Sequence, residues 1–291
     1  MRTGPPGANQ DPAGRPRRSR RAARRARRGR RWLVALAATV VGALVGGEVV
    51  AARWAAIPEP SEPSDWQQVF VEEFATDVAL GEFPGRRYED RWGAYPDGWR
   101  DTTGRGTYRP DRVVSVRDGV LDYHLHVEDG EARAAALVPQ LPTYGQRYGR
   151  YAVRFRADPV PGFKLTFLLW PDSERWPEDG EVNFPEGDLD GTFSAFMHHA
   201  DAAGTQDQFR TGRDFSRWRT AVLEWRPGEV RFLLDGALVG VSTTKVPDGS
   251  MHWVLQTETS TTPGEEPAPG ASGHVQVDWV AAWSYRGPDA G

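Results

Sequence analysis

From Trp66 onward, hydrophobic and polar residues alternate along short segments separated by Gly, Pro and Asp turns. The alternation is clear in residues 150–156, 230–234 and 275–279. A period of two places successive side chains on opposite faces of a β-strand. Asp235-Gly236 is a typical hairpin turn. No helical period persists beyond Trp66, so the pattern predicts an all-β domain, a two-sheet β-sandwich.

A different pattern precedes this domain. Residues 1–31 hold 12 arginines and one aspartate, and residues 32–52 carry a single charge, Glu48. A basic run followed by an apolar run is typical of a secretory signal or an uncleaved signal anchor. An arginine-rich arm could alternatively bind nucleic acid. The adjoining apolar run favours export, with the later residues extracellular or at the cell surface and no nucleic-acid partner.

Composition divides the chain into five segments. The formal net charge of −4 conceals a basic first segment, since residues 32–291 carry −15. There is no cysteine, so the domain needs a large apolar core in place of disulfides. We expect a monomer. The predicted segments are a disordered cytoplasmic arm (1–31), a signal or anchor helix (32–52), a proline-rich linker (53–65), the β-sandwich (66–286) and a tail (287–291).

The candidate chemistry lies in residues 180–187, which read GEVNFPEG. In a flat strand, Glu181 and Asn183 would point to one face and Glu186 to the other. Pro185 cannot donate to a central ladder, and a β-bulge there would turn Glu186 back to the first face. Two carboxyl groups about 5–5.5 Å apart are typical of retaining glycosidases. Alternatively, both glutamates are solvated surface residues.

These residues resemble the bulged motif of the family-16 glycoside hydrolases, Glu-x-Asp-x-x-Glu. Further segments resemble that family in the same order, from about residue 66 to 286: residues 118–121, 148–156, 224–236 and 277–280. The resemblance implies a concanavalin A-like jelly roll with a curved cleft. It also implies an endo-acting hydrolase that cleaves internal β-glycosidic bonds of a polysaccharide with retention of configuration.

The resemblance assigns roles to the motif. Glu181 is the expected nucleophile and Glu186 the expected acid/base, with no cofactor required. Asn183 stands where the family has an aspartate whose charge helps to set the protonation of the glutamates. Asparagine removes that charge and adds a donor, so we expect slowed catalysis. A carbohydrate-binding protein and a cell-wall transglycosylase on the same fold remain alternatives.

Other side chains near the motif are candidates for substrate binding. Neighbouring strand residues face opposite ways, so only one of His198 and His199 should reach the site, and the family favours His198. Core or solvent positions are the alternative for each candidate. The predicted substrate-binding residues are Trp99, Trp170, Trp176, His198, Gln256 and Glu258.

Some family members hold a structural calcium on the convex face. Glu73 and Asp278 occupy the corresponding positions, and their carboxylates suit calcium. The polysaccharide itself is not determined by the sequence. A β-1,3-linked glucan is a mild preference, because the bulged motif is frequent among enzymes that act on it.

Overall fold

The computed structural model describes residues 56–287. The predicted arm, the predicted helix and residues 53–55 and 288–291 lie outside this range. Among residues 56–287, no helix is long and apolar enough to cross a membrane. The two short α-helices are α1 (Gly85–Tyr88) and α2 (Pro110–Val113), and Pro63–Asp65 forms a turn of 3₁₀ helix. The predicted all-β class is confirmed.

Seven strands, numbered in chain order, form the sheet that carries the motif. Their order across the sheet is β12-β11-β10-β9-β16-β7-β2, and all pairs are antiparallel. Their bounds are β2 (Trp92–Ala94), β7 (Ala136–Pro139), β9 (Phe163–Pro171), β10 (Glu181–Asp188), β11 (Phe193–His198), β12 (Gln206–Arg213) and β16 (Met251–Thr259).

The second sheet has ten strands. Eight follow the order β15-β14-β13-β8-β17-β5-β6-β3, while β1 also pairs with β17 and β4 with β5. Their bounds are β1 (Trp66–Glu72), β3 (Gly106–Tyr108), β4 (Val114–Arg117), β5 (Val120–Glu128), β6 (Glu131–Ala134), β8 (Gly149–Ala157), β13 (Arg219–Arg226), β14 (Glu229–Leu234), β15 (Ala237–Ser242) and β17 (Ser272–Tyr285).

The β14–β15 hairpin confirms the turn predicted at Asp235-Gly236. Both turn residues have positive φ, 50° and 81°. Two consecutive residues in the left-handed region are what a type I′ turn requires, and its twist matches that of the flanking strands. The local sequence is therefore sufficient to define this connection.

The main core lies between the two sheets. Aromatic rings from the two sheets meet edge to face, for example Phe155 with Phe167 and Tyr151 with Trp253, whose centroids are 6.1 and 5.3 Å apart. Such edge-to-face pairs stabilise the core beyond the effect of burying apolar surface area. A smaller cluster, which includes Ala152, covers the opposite side of the ten-stranded sheet. We call that side the outer face.

The folded domain begins before the predicted boundary at Trp66. Ile57 packs against the outer-face cluster, Pro60 and Asp65 are buried, and Arg226 forms an ion pair with Asp65. The prolines of residues 53–65 predicted an extended spacer, an expectation based on local composition alone. Within the described range, Ile57, Pro60 and Asp65 attach this segment to the sandwich, whereas Glu59 and residues 61–64 are exposed.

Candidate functional site

A β-bulge brings the two motif glutamates to one face of β10. Between Asn183 and Glu186, three residue steps on β10 face two on each neighbouring strand: Phe196 to Ser194 on β11, and Leu168 to Thr166 on β9. The extra residue reverses the alternation of side chains. The predicted bulge is thus present on both sides of β10.

Contacts among the side chains show that the motif residues share this face, which we call the site face. The Asn183 amide nitrogen donates to Glu186 Oε2 at 2.8 Å. It lies 3.4 Å from His198 Nε2, which in turn lies 4.0 Å from Glu181 Oε2. Asn183 and His198 therefore link the two glutamates.

Tight backbone packing places Glu181 at the start of β10. The preceding Gly180 has φ +72°, and a Cβ there would come within 2.7 Å of the His198 carbonyl oxygen. Only glycine adopts this conformation without strain and leaves that space. The approach of the two backbones sets Glu181 beside His198.

Burial controls the protonation of Glu181. The side chain is largely removed from solvent, and this burial raises the pKa of Glu181 to about 7. The Asn183 side chain, as a hydrogen-bond donor to Glu181, opposes the shift, and the negative charge of Glu186 adds to it. A carboxyl group without a close cation is more stable uncharged in such surroundings. Burial likewise lowers the pKa of His198, so its imidazole is favoured in the neutral form.

Lys164 is a charged group of the site that the sequence analysis missed. Its Nζ lies 2.6 Å from Glu186 Oε1 and 3.9 Å from Glu258 Oε1. The residue occurs in β9, whose other residues are mainly apolar. The available signal was a lone lysine at a polar position of a buried strand, two positions before Thr166.

Asn183 supplies a donor where the family has a carboxylate. Its amide nitrogen is used by Glu186, whereas its buried Oδ1 has no hydrogen-bond partner among the described residues. Reversing the amide would set two acceptor oxygens against each other at Glu186, so the observed orientation is favoured. The unpartnered oxygen is thus a buried acceptor whose hydrogen-bonding capacity is not used by the described residues.

Three tryptophans predicted to bind sugar lie near this face. The rings of Trp170 and Trp176 are nearly parallel, 15° apart in plane and 6.5 Å between centroids, and Trp176 packs edge-on against His198. Trp176 is 46% exposed, and Trp99 is 57% exposed beside Tyr95. These exposed rings are available for stacking on sugars, and their role stays a prediction.

Gln256 and Glu258 lie on β16, next to β9. Gln256 is the register partner of Thr166 and Glu258 that of Lys164. Both side chains are buried, and burial raises the pKa of Glu258, with Lys164 opposing the shift. They therefore belong to the polar floor of the site face rather than to open solvent.

The two histidines face opposite ways, as the strand period requires. His198 is half-buried against Asn183 and Trp176, whereas His199 is buried and its Nδ1 contacts Thr205 Oγ1 at 2.7 Å. Of the pair, His198 is the one that the fold places on the site face.

The residues proposed to hold calcium are a poor fit for that ion. Asp278 is buried, and its carboxylate already forms an ion pair with Arg154, whose Nη1 lies 2.6 Å away. Glu73 is exposed. No group of three or more acidic, histidine or cysteine ligands forms within residues 56–287. No step of the chemistry is assigned to a metal.

Comparison with known proteins supports the fold. No protein-family profile matches the chain. A β-glucanase from Bacillus amyloliquefaciens is 26% identical over 107 residues, which cover 36% of this chain and 44% of that protein. The match thus spans less than half of the curated relative.

Solved structures match over most of the domain. A non-specific endo-β-1,3(4)-glucanase of family GH16 superposes with a TM-score of 0.62, at 21% identity over 79% of this chain and 95% of that one. The laminarinase catalytic domain from Thermotoga petrophila gives 0.61, at 18% identity over 77% and 99%. The described domain therefore has the jelly-roll fold of the family-16 glycoside hydrolases, which confirms the resemblance at the level of the fold.

Proposed function

We propose that the protein is an endo-acting glycoside hydrolase that cleaves internal β-glycosidic bonds of a glucan with retention of configuration. The bulge in β10 carries this proposal, because it sets Glu181 and Glu186 on one face with Asn183 between them. The three similar proteins described above are glucanases, which supports a glucan as the substrate. A β-1,3-linked or mixed-linkage glucan is the proposed substrate.

In the proposed reaction, the Glu181 carboxylate attacks the anomeric carbon as the glycosidic bond breaks. Glu186 gives its proton to the departing oxygen, which leaves a covalent glycosyl-enzyme and an ionised Glu186. Glu186 then removes a proton from the incoming water, which attacks the same carbon and releases Glu181. Two displacements at one carbon restore the original configuration.

The surrounding residues would position the substrate. His198, neutral because burial lowers its pKa, lies 3.4 Å from the Asn183 amide nitrogen and 4.0 Å from Glu181 Oε2, and the Trp176 ring packs edge-on against it. Trp170, Trp176 and Trp99 would stack on sugar rings. Asn183 holds Glu186 through its amide nitrogen.

A panel of polysaccharides tests the proposal. We expect purified protein to release new reducing ends from a β-1,3- or mixed-linkage glucan, with the β-anomer appearing first in proton NMR spectra. Oligosaccharides of several lengths should precede any monosaccharide. An initial α-anomer would contradict retention, and a larger acceptor-linked product would favour transglycosylation.

A carbohydrate-binding role is the second candidate. The observation that favours it is that both oxygens of Glu186, the proposed acid, already have a donor as partner, Lys164 on one and Asn183 on the other. Binding of a glucan by isothermal titration calorimetry, with no reducing ends from any glycan of the panel, would support this role against the hydrolase.

We also propose that residues 1–52 direct export, either as a cleaved signal or as an anchor. The support is the basic run followed by the apolar run in the sequence. A reporter fused after residue 60 should be recovered outside the cytoplasm, and its mass would distinguish cleavage from anchoring. A reporter retained in the cytoplasm would contradict the proposal.

A further inference from the structure

We propose that Lys164 is a positioning residue of the site: its ammonium group, shared between Glu186 and Glu258, orients the Glu186 carboxyl group for proton transfer. The proposal rests on the proposed function, because Glu186 is the acid/base residue of that reaction. It adds a residue that the motif does not contain, on a strand next to it.

Sheet register brings the three side chains together. β9 lies between β10 and β16, and Lys164 is the register partner of Asp188 on one side and Glu258 on the other. The lysine side chain is 12% exposed, so water screens its charge only weakly. Its Nζ also lies 3.5 Å from Thr261 Oγ1, in the loop after β16.

Both oxygens of Glu186 are occupied by donors. Lys164 Nζ lies 2.6 Å from Oε1, and the Asn183 amide donates to Oε2 at 2.8 Å. Each carboxylate oxygen has a second lone pair, so the two donors fix the orientation of the group and still leave a position for a proton.

The charges around Lys164 keep it an ammonium. Burial lowers the pKa of Lys164, but the facing carboxyl groups Glu186 and Glu258, with a smaller effect of Asp188, outweigh burial and raise it overall. Asp101 lies beyond Glu258 and acts on that residue. The other titratable groups near this cluster include His198, Glu181 and the phenols of Tyr95 and Tyr108, which interact with Glu181 and Glu258 respectively.

The choice of lysine is unusual for this chain. Of its 36 basic residues, two are lysines, Lys164 and Lys245, and the rest are arginines. An ammonium is a compact charge with three donors, whereas the planar guanidinium needs more room and favours one bidentate partner. A buried position between two carboxyl groups on adjacent strands suits the smaller cation.

The first experiment measures the ion pair directly, without any need for activity. The full-length protein is acetylated at alkaline pH, and mass spectrometry follows each lysine separately. We expect Glu186→Gln to accelerate acetylation of Lys164 by about tenfold, since a fall of one pKa unit raises the free-amine fraction tenfold. Lys245, an exposed lysine paired with Asp201, is the internal control and should not change.

The second experiment measures the pH dependence of kcat/KM. We expect Lys164→Met to move the alkaline limb upward, because the variant removes the cation 2.6 Å from Glu186. Lys164→Arg keeps the charge but not the compact geometry, so its limb should lie between those of wild type and Lys164→Met. Lys245→Met is the matched control and should reproduce the wild-type profile.

The outcomes separate this proposal from the proposed function. An unchanged acetylation rate of Lys164 in Glu186→Gln, or a Lys164→Met profile that superimposes on the wild type, overturns the role of Lys164. If Lys164→Met does not fold, the acetylation result decides. If wild type cleaves no glucan, the proposed function fails while the acetylation result still decides whether Lys164 forms the ion pair.

Discussion

The site face and the outer face both bury charged side chains, but they differ in the ratio of carboxylates to cations. On the outer face, each buried arginine meets a carboxylate: Arg150 lies 3.2 Å from Glu224, and Arg154 lies 2.6 Å from Asp278. Their guanidinium groups also cover aromatic rings, such as that of Trp283. Glu224 also lies within 4.0 Å of Arg226 and Arg231, so cations surround the buried carboxylate, which is typical of a structural ion-pair network.

On the site face, the three glutamates Glu181, Glu186 and Glu258 have one ammonium group nearby, that of Lys164, which contacts Glu186 and Glu258. Buried acceptors also remain without a partner there, namely Asn183 Oδ1 and Glu258 Oε2. Burial disfavours the charged form of a carboxyl group, and the raised pKa of Glu181 follows mainly from that burial, with the charge of Glu186 adding to it. Such an unbalanced cluster indicates a functional site, whereas a balanced one indicates structure.

The strongest test exchanges glutamate for glutamine on each face. Glu181→Gln removes the nucleophile, so we expect kcat to fall by at least about 10³-fold in a reducing-end assay. Glu224→Gln leaves Arg150 buried without its counter-ion and should lower the free energy of unfolding by about 3–5 kcal/mol. The folded fraction of Glu224→Gln should keep wild-type activity. An inactive but stable Glu224→Gln would contradict the comparison.

The pH dependence of stability gives a second test. The pKa of Glu181 is raised from 4.5 to about 7 in the folded state, so the native protein holds a proton that the unfolded chain has lost. The stability from this group is complete below pH 4.5 and disappears as the pH rises through 7. Relative to Glu181→Gln, wild type should lose on the order of 3 kcal/mol over that window.

Urea unfolding of both proteins at several pH values measures this difference. Because other titrating groups, including Glu258, are present in both proteins, their contributions to the free energy of unfolding cancel in the difference between wild type and Glu181→Gln. A wild-type protein that gains stability relative to Glu181→Gln as the pH rises would mean that Glu181 is stabilised as a carboxylate.

Asn183→Asp sharpens the role of the donor at Glu186. In this variant a carboxylate oxygen would replace the amide nitrogen that now donates to Glu186 Oε2 at 2.8 Å. Two carboxylate oxygens at that distance repel each other unless a proton lies between them. We expect the alkaline limb of kcat/KM to move upward and the rate there to rise by about tenfold. Gln276→Glu, where the amide donates to Asp122 at 3.0 Å, makes the same exchange on the other sheet and should leave the rate unchanged.

The smallest expected effect concerns the exposed rings. Trp176→Ala should raise KM severalfold with little change in kcat, because stacking contributes about 0.5–1.5 kcal/mol and acts on bound substrate and transition state alike. Leu238→Ala removes a side chain of similar exposure, 54%, from β15 of the other sheet. A larger KM for Leu238→Ala than for Trp176→Ala would place substrate binding elsewhere.

The sequence by itself determined what depends on neighbours along the chain. Alternating polarity defined the strands, positive-φ residues defined the Asp235-Gly236 turn, and a proline between polar positions indicated the bulge in β10. Each of these signals lies within a few residues, because strand period, turn type and bulge are properties of the local backbone. The relation between Glu181 and Glu186 could therefore be predicted.

The tertiary structure alone decided which charges meet. Lys164 lies 22 positions before Glu186 and 94 before Glu258, and only the register of β9 with β10 and β16 brings the three together. The packing of residues 57–65 and the pairing of Asp278 with Arg154 likewise depend on distant parts of the chain. Electrostatic interactions act through space, so the protonation of this site is a property of the folded sheet.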